Sequence, residues 1–203
     1  FVSIYDISSQ SGKTVQVPIY PEVAAAALTE GTDLSSTAVS TSSKTITVAE
    51  VGVQAVLTDL AAQAAAGDVA GNLGRVLGEA VAKKMDKDLI GLFTGFSQGF
   101  GAAGAELTVA DFFKAAATLS TNGASGVISA VIHPHQAYAL KANMTNTFVN
   151  PNGGDLQNEA MRSGYVGQLA GINIYESSNI AIDASDDAIG AVFVPSALGL
   201  AVC

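Results

Sequence analysis

The sequence predicts an α+β fold organised around one long helix, and three observations carry that reading. Strand-like alternation brackets residues 15–53, a helical apolar spacing runs from Thr58 to Phe96, and strand-like runs return after Gly171. A chain of 203 residues that is 49% hydrophobic and 13% charged has apolar material for a core and too little charge for disorder.

Val15-Gln16-Val17-Pro18-Ile19-Tyr20 alternates apolar and polar side chains as a half-buried strand does, and Pro18 places it at a sheet edge. Thr45-Ile46-Thr47-Val48 alternates again and continues into Val51-Gly52-Val53, with a phase slip near Ala49-Glu50 that reads as a bulge. These are the two legs of one long hairpin. Residues 29–47 hold 11 Ser or Thr and no aromatic. Such a stretch buries too little apolar area to offset an ordering entropy of about 1 to 2 kcal/mol per residue, so it orders only by lying on something else.

The main helix takes Asp68 as its N-cap and Gly95 as its stop, roughly 27 residues and about 40 Å. Gly67, Gly71, Gly74 and Gly78 fall along one stripe. An interior Gly costs about 1 kcal/mol relative to Ala. The stripe therefore predicts another backbone packed close against the helix, although Gly67 alone fits a flexible lead-in.

Thr108-Val109-Ala110-Asp111 has the capping-box spacing and opens a short amphipathic helix through Phe112, Phe113, Ala116 and Leu119, ending by Gly123. Val127 to Ile132 reads as a strand, and His133-Pro134 starts another helix with Pro at its first position. The tail alternates strands at Ile172–Tyr175 and Ala191–Val194 with turn-rich stretches such as Asn150-Pro151-Asn152-Gly153-Gly154-Asp155. No repeat of 20 to 50 residues is present, which excludes a solenoid.

Nine Lys and Arg against 18 Asp and Glu give a net charge of −9, which excludes a basic nucleic-acid binder. With so little charge, Ala, Gly, Ser and Thr must cover much of the outside, a surface suited to close contact with other protein. The single Cys is Cys203, so no disulfide framework and no thiolate metal site forms within the chain. No apolar run is long enough to span a membrane and no signal peptide opens the sequence. A start at Phe1 and a stop inside the apolar run from Ala191 lead us to expect a fragment.

Several motifs imitate chemistry. Gly12-Lys13-Thr14 ends like a P-loop, but Ile7 stands where the first Gly belongs and a strand follows. Gly99-Phe100-Gly101-Ala102-Ala103-Gly104 matches a dinucleotide-binding fingerprint, yet it follows a helix and no acid lies about 20 residues beyond. His133 and His135 stand two apart without further ligands, so capping and packing explain them better than zinc. Asp183, Asp186 and Asp187 read as a solvated turn ahead of a calcium site. Asn143-Met144-Thr145 would be glycosylated only in a secreted chain. Arg75, Lys83, Lys84 and Lys87 lie on the long helix, where Glu79 and Asp88 stand four residues away for surface pairing. No catalytic, cofactor-binding or metal-binding residue is assigned, and we expect no enzyme.

The order of elements carries a resemblance: a long anchorless hairpin, one long helix, a short helix opening with Leu107-Thr108-Val109-Ala110-Asp111, the strand into Val131-Ile132-His133-Pro134-His135-Gln136-Ala137-Tyr138, then Ala170-Gly171-Ile172-Asn173-Ile174-Tyr175 and Ala197-Leu198-Gly199-Leu200-Ala201. Over essentially the whole chain this resembles the major capsid protein of tailed double-stranded DNA bacteriophages, the Hong Kong phage capsid fold. The resemblance implies the end of an N-terminal segment at 1–14, an extended E-loop at 15–53, a P-domain with its spine helix at 54–104 and 170–203, and an A-domain at 105–169. It implies a virion protein, assembled in the host cytoplasm, that forms hexamers and pentamers of an icosahedral shell and encloses DNA without reading its sequence. Portal, scaffolding and decoration proteins would be its further partners, with no cofactor and no membrane.

Some members of that family cross-link an E-loop Lys to a P-domain Asn of a neighbour. Lys44 and Asn179 are residues of those types in the corresponding segments, and neither matches the motif. Encapsulins, bacterial compartment shells of the same fold, share the pattern. A Ser/Thr-rich adhesin shares the composition, but the helix from Asp68 to Phe96 argues against it.

Overall fold

The computed structural model describes residues 2–8, 12–25, 27, 30–31, 36, 38–58, 67–147 and 167–202, without the side chains of 144–147. The predicted turn at Asn150–Asp155, the stretch 59–66 ahead of the long helix, and Cys203 lie outside the described residues. The chain divides into two compact units, one built on Ser3–Glu50 with the strand that begins at Gly199, the other on Val51–Leu198.

In the first unit, strand β1 (Ser3–Asp6) pairs in parallel with the chain's last strand, from Ser3 opposite Gly199 to Asp6 opposite Val202. The Ile7 N–H extends that ladder to the Val202 carbonyl at 2.9 Å, and the Ile7 side chain is buried. Strands β2 (Thr14–Ile19) and β3 (Ser42–Thr47) form the expected hairpin, antiparallel from Thr14 opposite Thr47 to Ile19 opposite Ser42. The second leg departs from the sequence reading. It starts three residues earlier, at Ser42, and residues 49–53 lie outside any strand, so no bulge is needed. The pairing closes with the Val48 N–H on the Lys13 carbonyl at 2.8 Å, one residue before β2 begins.

In the second unit, helix α1 spans Val69–Ile90, 22 residues and about 33 Å. Asp68 caps it as predicted, accepting the Gly71 N–H at 2.9 Å. The helix ends five residues before the predicted stop, and Gly91–Gly95 continue as a 3₁₀ turn. The reason is packing: Ile90, Phe93 and Phe96 recur every three residues, which suits three residues per turn and presents them together to a cluster with Phe193. Ring centroids there lie 6.0 Å (Phe93–Phe96), 5.7 Å (Phe93–Phe193) and 6.2 Å (Phe96–Phe193) apart.

The glycine stripe is also corrected. Among the described residues, a Cβ on Gly74 or Gly78 would meet nothing within 4 Å, so no other described backbone packs there. Gly71 has a different cause: its Cβ would fall 2.2 Å from the capping carboxylate of Asp68.

Helix α2 (Val109–Thr121) follows its capping box, with the Asp111 carboxylate accepting the Thr108 N–H at 3.1 Å and its hydroxyl at 2.7 Å. Strand β4 (Ile128–Ile132) leads into helix α3 (Pro134–Thr147). Strands β5 (Gln168–Leu169), β6 (Ile172–Glu176) and β7 (Ala191–Phe193) complete a sheet in the order β5-β6-β4-β7. Strand β6 runs parallel to β4, and β5 and β7 run antiparallel to their neighbours. Ala170 (φ 52°) and Gly171 (φ 78°) make the two-residue turn from β5 to β6, which needs positive φ at both positions. Strand β8 (Gly199–Val202) is the partner of β1 already described.

The strand alternation distributes two cores. Ala130, Ile132, Ile172 and Ile174 pack with Val109, Phe112, Ala137 and Leu140 of α2 and α3, while Ala191 and Phe193 join Phe93 and Leu198 in the other cluster. The sheet is therefore covered by helices on one face and by the aromatic end of α1 on the other. Gly190 admits β7 to this arrangement, because a Cβ there would lie 2.8 Å from the Val131 carbonyl oxygen and 3.0 Å from Gln136 Oε1. Gly190→Ala is expected to destabilise the subunit by about 1 to 3 kcal/mol in denaturant titration, the usual result of overfilling a packed site; an unchanged midpoint would contradict this packing.

Candidate assembly interface

Helix α1 has no buried residue along its 22 positions. Val69, Leu73, Leu77 and Val81 form a half-buried row four residues apart, and Val76 and Met85 are exposed at 52% and 38%. An apolar stripe of this kind normally faces a core. The hairpin is similarly open: Ile19, Tyr20, Val23 and Val39 are exposed beside the Ser/Thr-rich connection. Leu92, Phe113, Val127, Tyr138 and Ile189 add exposed large apolar side chains elsewhere.

The polar side of α1 is organised as its spacing predicts. Arg75 meets Glu79 at 3.2 Å, and Lys84 pairs with Asp88 one turn on. Asp86 accepts hydrogen bonds from the Asn179 side-chain amide and, at 3.5 Å, from the Ser177 hydroxyl, which ties the 177–180 turn to the helix. Lys44 lies exposed on β3.

The imitation motifs resolve into structure. Lys13 pairs with Glu50 at 3.4 Å, and Thr14 opens a strand where a P-loop would open a helix. The Gly99–Gly104 loop connects the 3₁₀ turn to α2, and its last N–H, on Gly104, donates to both Asp187 carboxylate oxygens at 2.8 and 3.1 Å. Sequence reading saw the glycine motif and the acid cluster and could not foresee that they meet. Asp183 organises its own turn, accepting the Ser185 and Asp187 N–H groups at 2.8 and 2.9 Å, while Asp186 is exposed with φ 62°. Asn143 lies inside α3.

His133 is a capping residue. Its Nδ1 accepts the His135 backbone N–H at 3.1 Å, and its own N–H donates to Gln136 Oε1 at 3.0 Å. The Gln136 amide donates on to the Ala188 carbonyl at 2.6 Å, linking the start of α3 to the segment before β7. Burial first and the neighbouring His135 second hold the His133 imidazole below the usual histidine pKa of 6.5. Among the described residues no group of three His, Cys, Asp or Glu side chains is placed to hold a metal ion, and no helix is long and apolar enough to cross a membrane.

No protein-family model and no curated protein matches the chain. Solved structures do. The capsid structure of cyanophage P-SCSP1u aligns with a TM-score of 0.74 at 21% identity, over 98% of this chain and 72% of that one. The fold is a phage capsid fold. A Mycobacterium phage Che8 structure gives 0.68 at 20% identity over 94% of this chain and 71% of that one. The mature capsid of bacteriophage PhiM1 gives 0.66 at 17% identity over 96% and 71%.

Protonating His133 would remove the acceptor for the His135 N–H and place a cation at a helix N-terminus. Below pH 6.5 the unfolded chain binds a proton that the folded chain resists, so stability falls as pH drops through that window. Thermal melting of the protein from pH 7.5 to 5 should show this loss, and His133→Asn, which keeps a capping acceptor without the proton, should reduce it. An identical pH slope in the variant would contradict the role assigned to His133.

Proposed function

We propose that the chain is a structural virion protein, a major capsid subunit that assembles with copies of itself into an icosahedral shell around phage double-stranded DNA. The carrying observation is the capsid fold shared with the cyanophage structure over 98% of this chain. In this reading residues 15–53 are the E-loop, 54–104 and 170–203 the P-domain with α1 as spine, and 105–169 the A-domain. Copies meet as hexamers and pentamers, and the site of action is the virion.

Physical features of the chain support the same reading. The Ser/Thr-rich sequence between the hairpin legs is too poor in apolar residues to build a core of its own, and in this reading it gains burial by lying on the next subunit. The half-buried apolar row of α1, the exposed Val76 and Met85, and a charged fraction of 13% suit surfaces buried between subunits. A net charge of −9 lets a shell hold DNA without adhering to it. The role is structural, not catalytic.

Expression of the chain, followed by electron microscopy, tests the proposal. Closed particles are expected. Replacing residues 20–41 by Asn-Gly, which joins Ile19 and Ser42 at their observed register, should leave a cooperatively folding subunit that forms no closed particles. Shells of normal size from that variant would contradict the role given to the hairpin. Protein cargo instead of DNA inside native particles would favour an encapsulin-type shell.

A further inference from the structure

The charge inventory of α1 leaves two cations over. Arg75 and Lys84 have their carboxylates, and Asp86 is engaged by Asn179. Lys83 and Lys87, one helical turn apart and exposed, form no ion pair among the described residues. They rim a cavity of about 410 Å³ whose other walls include Ile90, Ser178, Asn179 and Ile180. In a chain of net charge −9, an unpaired lysine pair beside an apolar wall calls for an acidic, partly apolar occupant.

The sequence supplies one. Residues 20–41 contain Glu22, Glu30 and Asp33 and no Lys or Arg, so the segment carries a charge of −3. Glu22 and Glu30 are exposed and join no ion pair among the described residues, and Tyr20, Val23 and Val39 add exposed apolar groups to the same stretch. We propose that Lys83 and Lys87 receive the acidic 20–41 segment of a second copy, so that charge complementarity sets where the hairpin lands on α1. This rests on the shell reading above. Duplex DNA is the weaker occupant, because a phosphate backbone offers nothing apolar to the Ile90 and Ile180 wall, whereas the 20–41 segment brings Tyr20, Val23 and Val39.

The test is a charge swap in the full chain. Lys83→Glu with Lys87→Glu should raise the protein concentration for half-assembly by roughly five-fold or more, as expected for the loss of two exposed pairs per contact. Adding Glu22→Lys and Glu30→Lys to that variant should restore assembly toward wild type. Circular dichroism of unassembled subunits should be unchanged, since all four side chains are exposed. Assembly of the Lys83/Lys87 variant at wild-type concentration, or no rescue by the swap, overturns the inference while leaving the shell reading intact; absence of particles from wild type overturns both. Carbodiimide cross-linking of mixed light and isotopically heavy wild-type subunits gives a second reading without substitution. Links from Lys83 or Lys87 to Glu22, Glu30 or Asp33 between light and heavy copies are expected, and their absence among other intersubunit links would overturn the inference. Retardation of duplex DNA by wild-type subunits that is lost in the Lys83/Lys87 variant would assign these lysines to nucleic acid instead.

Discussion

The packing of Phe93 and Phe96 on Phe193 fixes where helix α1 leaves the four-stranded sheet, and much of the remaining structure follows from that anchorage. Three aromatic rings on one face of a sheet bury a large apolar area in a small space. They hold the C-terminal end of α1, while Asp68 completes the first turn and Asp86 ties one side to the 177–180 turn. Along its length none of its side chains is fully buried, and Val69, Leu73, Leu77 and Val81 are covered only in part. Three interior glycines at about 1 kcal/mol each relative to Ala make it weaker still. Such a helix, held at a few points, is a natural place for a neighbouring copy to contribute burial.

The hairpin presents the complementary condition. Strands β2 and β3 pair with each other in the unit where β1 and β8 bring the two ends of the chain together, and Gly199 allows the close approach of Ile46 and Tyr5 there. Beyond Ile19 the connection turns polar and small, with a few exposed apolar side chains and three carboxylates. Low overall charge then acts in the same direction as these two elements, lowering the desolvation cost of covering them. The His133 cap and the Asp187–Gly104 link act elsewhere, fixing loops around the sheet.

Much of this was legible in the sequence. The hairpin legs, the Asp68 cap, the Thr108–Asp111 capping box, the Pro134 helix start and the tail strands all announce themselves through local rules: period, cap and turn chemistry. The misses come from tertiary terms. Helix α1 stops at Ile90 because burying Phe93 and Phe96 favours a three-residue turn, and spacing near three or four does not separate the two helix types. The bulge expected near Ala49 is absent because β3 starts earlier and ends at Thr47, ahead of it. The glycine stripe signals close approach, yet no described residue outside the helix comes within 4 Å of a Cβ on Gly74 or Gly78, and Gly71 answers to its own cap. The contact of Gly104 with Asp187, 83 residues apart, has no local signature at all.

The central claim is that α1 and the hairpin connection complete their burial between copies. Hydrogen exchange measured residue by residue in unassembled subunits and in closed particles tests it most directly. The account predicts that amides of Val69–Ile90 and of residues 20–41 exchange much more slowly in particles, while those of β4 and β6 are already protected in free subunits. Equal exchange for α1 and the hairpin in both states would contradict it.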